Sequence, residues 1–175
     1  EQFENADFAG EPSVTIEKSG RIFLFGAIAA VSADQAVSIK LSGTYTPDQT
    51  GLYTFGLSSA GLARLFIDNA EVVDNWTKQT PGDSFFGFGS AEQTSAVELE
   101  EGREDQVRIE FVRPAHSMLG GMRFGVLPPV PSDILTTAVN AANDADTTIL
   151  VLGSNADWET EGTDRTHLNL PGEQN

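Results

Sequence analysis

Carboxylates gather near the C-terminal end of the chain, in Gly153-Ser154-Asn155-Ala156-Asp157-Trp158-Glu159-Thr160-Glu161-Gly162-Thr163-Asp164-Arg165. Carboxyl groups at this density can do general acid–base chemistry, provided that burial or a like-charged neighbour raises one of them into the neutral range. Asp157 and Glu159 could raise Glu161 in this way, and Arg165 would oppose the shift if it pointed inward. An acidic loop is ordinarily a solvated surface, but the order Trp158, Glu161, Gly162, Asp164, Arg165 is too specific for that reading to stand. Asp164 and Arg165 read as a local ion pair that shapes the loop. A second group runs from Trp76 to Phe88 and includes Gly82-Asp83-Ser84-Phe85-Phe86-Gly87-Phe88-Gly89. Aromatic rings between glycines on a loop offer flat faces for stacking against a sugar or another ring, and the competing reading is a strand whose phenylalanines fill a core. Neither His116 nor His167 has a partner at metal-ligand spacing, and the chain has no cysteine, so no metal site, cofactor or thiolate chemistry is expected.

These side chains need a scaffold. From Glu1 to about Leu127 short apolar runs with period-two alternation are broken at near-regular intervals by glycine, proline, asparagine and aspartate, the pattern of an antiparallel sandwich or barrel. Val37, Ile39 and Leu41 share one face of a strand, and Pro47 to Gly51 turns the chain into Leu52-Tyr53-Thr54-Phe55, which predicts a hairpin. A second hairpin is predicted around Asp68-Asn69, because both residues tolerate positive φ. Further strands are predicted at Ser95 to Leu99, Gln106 to Phe111 and Met122 to Val126.

At Pro128-Pro129-Val130-Pro131 the character changes, since prolines at this density favour an extended linker over a central strand. Beyond it Ser132 suits a helix N-cap, and Ile134, Leu135, Ala138, Val139 and Ala142 recur at helical spacing to about Asn143. Thr147 to Leu152 is a continuous apolar and β-branched run, as expected of a strand buried on both faces of a parallel sheet, and it stops at Gly153. Ligands of open α/β sheets bind beyond the carboxyl ends of the strands, which places the carboxylate-rich stretch where chemistry is expected.

The stretch Trp158-Glu159-Thr160-Glu161-Gly162-Thr163-Asp164-Arg165, with Leu170-Pro171-Gly172 and Gln174 after it, resembles a loop of family 3 β-glucosidases. It is the loop that opens after the first strand of their α/β sandwich domain. In that family the glutamate before the glycine is the general acid/base, so the resemblance implies that role for Glu161. The aromatic residue usual after that glycine is Thr163 here. The preceding part resembles a PA14 domain through Leu41-Ser42-Gly43-Thr44-Tyr45-Thr46-Pro47, Gly51 to Phe55 and Arg64 to Trp76, a domain known as an insertion in some enzymes of that family. The expected architecture is therefore mainly β: residues 1–127 a PA14-type antiparallel sandwich, and residues 128–175 the N-terminal fragment of an α/β sandwich domain with one helix, one parallel strand and the active-site loop.

The function this implies is part of a retaining, exo-acting β-glucosidase, with Glu161 as acid/base and Phe86, Phe85 and Trp158 contacting the glucoside. The nucleophilic aspartate would lie in a TIM barrel of the same protein that is absent from this stretch. The alternative is a non-catalytic, carbohydrate-binding PA14 module. A calcium lectin of the PA14 type is set aside, because Ser58-Ser59-Ala60-Gly61 stands where acidic ligands would be expected.

Composition agrees with a folded, acidic protein: 39% hydrophobic, 21% charged and a net charge of −16. So negative a surface repels nucleic acid and anionic membranes, and neither is expected as a partner. The longest apolar stretch, Ile22 to Val31, is about half the roughly 20 residues needed to cross a bilayer and reads as a buried strand. No targeting segment is expected within the chain, which reads as an excerpt of a longer protein; compartment and homo-oligomer formation are left open. Asn75-Trp76-Thr77 matches the glycosylation sequon, a match expected by chance at this length.

Overall fold

The alternation in the first part of the chain becomes two layers of strands. A computed structural model describes residues 1–25, 32–154, 165, 167–171 and 174. The chain divides into two compact units, Glu1–Val130 and Pro131–Asn175, so the division falls inside the proline run. Among the described residues, unit 1 holds β1 (Gln2–Phe3), β2 (Arg21–Phe25), β3 (Val37–Tyr45), β4 (Gly51–Ala60), β5 (Leu62–Ile67), β6 (Ala70–Asn75), β7 (Gln93–Leu99), β8 (Asp105–Arg113) and β9 (Leu119–Leu127). A five-stranded sheet runs β1-β3-β8-β5-β6 and a four-stranded sheet β2-β9-β4-β7.

Every pairing is antiparallel, so period two sends alternate side chains inward. In the larger sheet Ile39, Phe111 and Ala63 lie abreast, followed by Leu41, Ile109, Leu65 and Val73. With Tyr53, Phe55, Leu57, Leu99 and Met122 of the other sheet they make one core cluster. Each large apolar side chain taken out of water there stabilises the sandwich by about 1.5–3 kcal/mol.

The hairpin predicted at Asp68-Asn69 joins β5 to β6, with φ of 49° and 67° at the two residues. Both are left-handed, as a two-residue type I′ turn requires. The hairpin predicted between β3 and β4 is not formed, because β3 belongs to the larger sheet and β4 to the smaller. The turn residues are there, but they carry the chain across the sandwich. This crossing is braced by the one from β7 to β8: the Gly102 amide donates to Pro47 O at 2.9 Å and the Glu101 amide to Thr50 Oγ1 at 3.0 Å.

In unit 2 the predicted helix is α1 (Ile134–Asp144). Its N-cap is Asp133 rather than Ser132, and no side chain caps it. Residues 148–154 form no strand, and Ile149, Leu150, Val151 and Leu152 are exposed. A parallel strand needs neighbouring strands for its hydrogen bonds, and the described residues of unit 2 include none. Among the described residues no helix is long and apolar enough to cross a membrane.

Candidate functional site

Two regions carry the residues singled out in the sequence. Glu161 and Trp158 lie outside the described residues. The two ends of the loop that contains them are described, and one side chain ties them together. Gln174 Oε1 accepts from the Gly153 amide at 3.1 Å, while Gln174 Nε2 donates to Gly153 O at 3.2 Å and to Pro171 O at 3.0 Å. An amide side chain paired to both polar groups of one residue acts as a substitute strand rung. It ties Gly153 to Pro171.

The second region is residues 76–91, between β6 and β7. Asp74, near the end of β6, accepts the Trp76 and Thr77 amides on Oδ1, both at 2.8 Å. The Thr77 amide, the Thr77 hydroxyl and the Trp76 amide hold its carboxyl below the usual range. This side-chain turn ends the strand and aims the chain out of the sheet. The loop then narrows to a neck, where the Ala91 amide donates to Thr80 O at 2.8 Å and the Gly82 amide to Gly89 O at 3.0 Å.

At the tip, Phe85, Phe86 and Gly87 all have positive φ, of 53°, 60° and 80°. Glycine takes this conformation freely, but each phenylalanine is strained by about 1–2 kcal/mol. The two rings end up in different places. Phe85 is half-buried and stacks on Phe23 of β2 at 6.1 Å between centroids. It also fits against Gly121, where a Cβ would come within 2.5 Å of its ring. Phe86 is 81% exposed and meets Phe23 edge-on, and Phe88 is exposed beside it. The sequence's competing reading, phenylalanines filling a core, therefore does not describe Phe86.

A cleft of about 260 Å³ is lined by Glu17, Arg21, Phe23 and Lys40 among others. The Arg21 guanidinium sits over the Phe23 ring at 5.9 Å. Phe23 went unremarked in the sequence, where it belongs to a run read as buried. Alternation was the available signal: Leu24 is buried, so Phe23 faces the other way and is partly exposed.

The neck is tied to the core by polar groups that the sequence reading also missed. Asn75 is fully buried, so the sequon asparagine is inaccessible in the folded sandwich. Its Nδ2 donates to Ser59 Oγ at 2.9 Å and to Ser90 Oγ at 2.8 Å. The Ser90 amide donates to Ser59 O at 2.9 Å. Gln79 Nε2 adds bonds to Gly61 O at 2.7 Å and Asn75 O at 2.8 Å. Ser59, which stands where a calcium lectin would have acidic ligands, thus spends its hydroxyl on Gly61 O at 2.8 Å. Of the two histidines, His116 is an exposed turn residue at positive φ, paired with Asp34 at 3.5 Å. His167 is exposed, and among the described residues no three metal-ligating side chains converge.

A two-layer antiparallel sandwich with an aromatic-tipped loop on its rim, followed by a helical segment, defines the class. Residues 1–133 match the PA14 domain, and the chain belongs to that family. It is 36% identical to a beta-glucosidase of Rhizobium radiobacter over 180 residues, 99% of this chain and 22% of the relative. It is 43% identical over 142 residues to a probable beta-glucosidase H of Aspergillus clavatus, 75% of this chain and 17% of the relative. A solved beta-glucosidase from Kluyveromyces marxianus superimposes with a TM-score of 0.87 at 28% identity, covering 99% of this chain and 21% of that one. The chain thus spans 17% to 22% of the length of these curated relatives.

Proposed function

We propose that this chain is part of a retaining, exo-acting β-glucosidase of glycoside hydrolase family 3 that removes terminal β-D-glucosyl residues. Glu161 is its general acid/base, residues 128–175 begin its α/β sandwich domain, and Phe86, Phe85 and Trp158 contact the glucoside. The observation that carries this reading is extent: the likeness to a protein named a beta-glucosidase runs over 99% of the chain, through the sandwich and the carboxylate-rich stretch together. A free-standing binding module would need only the sandwich.

In double displacement one carboxylate attacks the anomeric carbon, and a second about 5 Å away protonates the leaving oxygen and then activates water. Glu161 takes the second role, and a TIM barrel of the same protein supplies the first. The exposed ring of Phe86, which meets Phe23 edge-on, offers a flat face to the aglycone.

The test uses the full-length protein with Glu161→Ala on a series of aryl β-glucosides. With poor leaving groups the rate is expected to fall by about 10²–10⁴. With the most acidic phenols it is largely retained, and azide restores turnover. A flat response across the series would remove Glu161 from the chemistry. Sugar affinity kept by residues 1–127 alone would then favour the binding module.

A further inference from the structure

Phe85 and Phe86 hold a backbone conformation that the chain would abandon if left free, since each left-handed non-glycine residue persists only where its surroundings over-determine it. The surroundings that do so converge on Ser90. Its hydroxyl accepts from Asn75 Nδ2 at 2.8 Å and from the Ser59 amide at 3.2 Å. Its carbonyl accepts from the Ser84 hydroxyl at 2.7 Å, one residue before the strained pair. The Gly89 amide closes the same turn onto Ser84 O at 2.9 Å. A continuous path of hydrogen bonds therefore runs from Asn75, through Ser90 and Ser84, to the base of Phe85.

Asn75 is poorly suited to a purely structural role. It lies beside Ala63 in the register of the larger sheet, at the edge of the apolar core. Its Oδ1 is buried with no donor among the described residues. An unmatched buried acceptor lowers stability, so what the residue contributes lies in the two bonds its Nδ2 donates.

We propose that Asn75, acting through Ser59 and Ser90, is a positioning residue that sets substrate specificity: it locks the neck of loop 81–90 so that Phe86 is held in place for the aglycone. This rests on the reading of Phe86 given above. Asn75 touches no substrate.

The test is Ser90→Ala in the full-length protein. It removes the acceptor hydroxyl with almost no change of volume and leaves the Ser90 amide bond to Ser59 O intact. Three quantities are measured: hydrogen exchange of the amides in residues 82–89, the melting temperature, and kinetics on p-nitrophenyl β-D-glucoside. Exchange is expected to quicken by about tenfold, and the melting temperature to fall by a few degrees because the buried Ser59 amide and Asn75 Nδ2 each lose an acceptor. KM is expected to rise by about three- to tenfold while kcat moves less than twofold.

The same substitution made on Phe86→Ala is expected to add nothing further to KM, because it acts through the missing ring. Unchanged exchange in Ser90→Ala would overturn the proposal, as would faster exchange with an unmoved KM while Phe86→Ala alone raises it. If Phe86→Ala leaves KM untouched, the contact assigned to Phe86 fails and the specificity role of Asn75 fails with it. The exchange data then report separately whether the network orders the loop.

Discussion

Asp105 at the start of β8 is a buried carboxylate whose side chain is only 1% accessible. Burial pushes its carboxyl above the usual range; the Arg103 guanidinium, 3.0 Å away, pulls the other way, and the Asp68 carboxylate adds to the rise. A raised folded-state value means that the native state binds the proton more tightly than the unfolded chain does. The charged form is therefore a burden that lightens as pH falls from the folded-state value toward the unfolded one, and it is fully felt above both. Asp105→Asn is expected to stabilise the sandwich at pH 7 by on the order of 1 kcal/mol, or about 2–4 °C. It is also expected to flatten the rise of stability on mild acidification. Thermal melts of the two proteins between pH 4 and 8 check both points. Arg103 keeps its pairing with Asp68 in the variant, so no cation is stranded. Asp74 has the opposite sign: amides hold its carboxyl low, so its stabilising share is lost as pH falls through that lowered value.

Among the elements, the β5–β6 hairpin shows what local sequence can specify. Asp68 and Asn69 are left-handed because the turn demands it, and Asp68 adds a bond from the Gln106 amide at 2.9 Å that ties the turn to β8. Asn69→Val is expected to destabilise by about 1–2 kcal/mol, since a β-branched residue resists positive φ; denaturant titration with an unchanged slope checks it. The strands, this hairpin and α1 were legible because alternation, turn chemistry and helical spacing are local signals. The β3 to β4 connection was not, because Pro47 to Gly51 looks the same whether the chain reverses within a sheet or crosses to the other one. Thr147 to Leu152 reads as a strand, yet the ladder it needs must come from elsewhere. In the candidate site, Phe85 and Phe86 stood out by composition between glycines. Asn75, Ser59, Ser90 and Gln79 did not, since nothing in a lone asparagine or serine announces a partner on another strand.

At the scale of the whole chain, the buried hydrophobic side chains among the described residues lie between Phe3 and Met122, inside Glu1–Val130. Helix α1 buries none of its residues, and Ile134, Leu135, Val139, Ile149, Leu150 and Val151 are exposed. Apolar side chains concentrated in this way mark a surface that belongs against other protein, as the proposed α/β sandwich domain would provide. The core cluster of unit 1 is drawn from its own strands. Residues 1–130 expressed alone are expected to unfold in one cooperative step, with a melting temperature within about 2 °C of that of the 175-residue chain. The longer chain is expected to bind more of a hydrophobic dye than the shorter one, because residues 131–175 add Ile134, Leu135, Val139, Ile149, Leu150 and Val151 to exposed side chains such as Phe86 and Phe88 that both share. Circular dichroism melts and dye titrations of the two proteins decide the matter. A drop of more than about 10 °C on truncation would mean that residues 131–175 complete the sandwich, and equal dye binding would move the uncovered apolar surface into the sandwich itself.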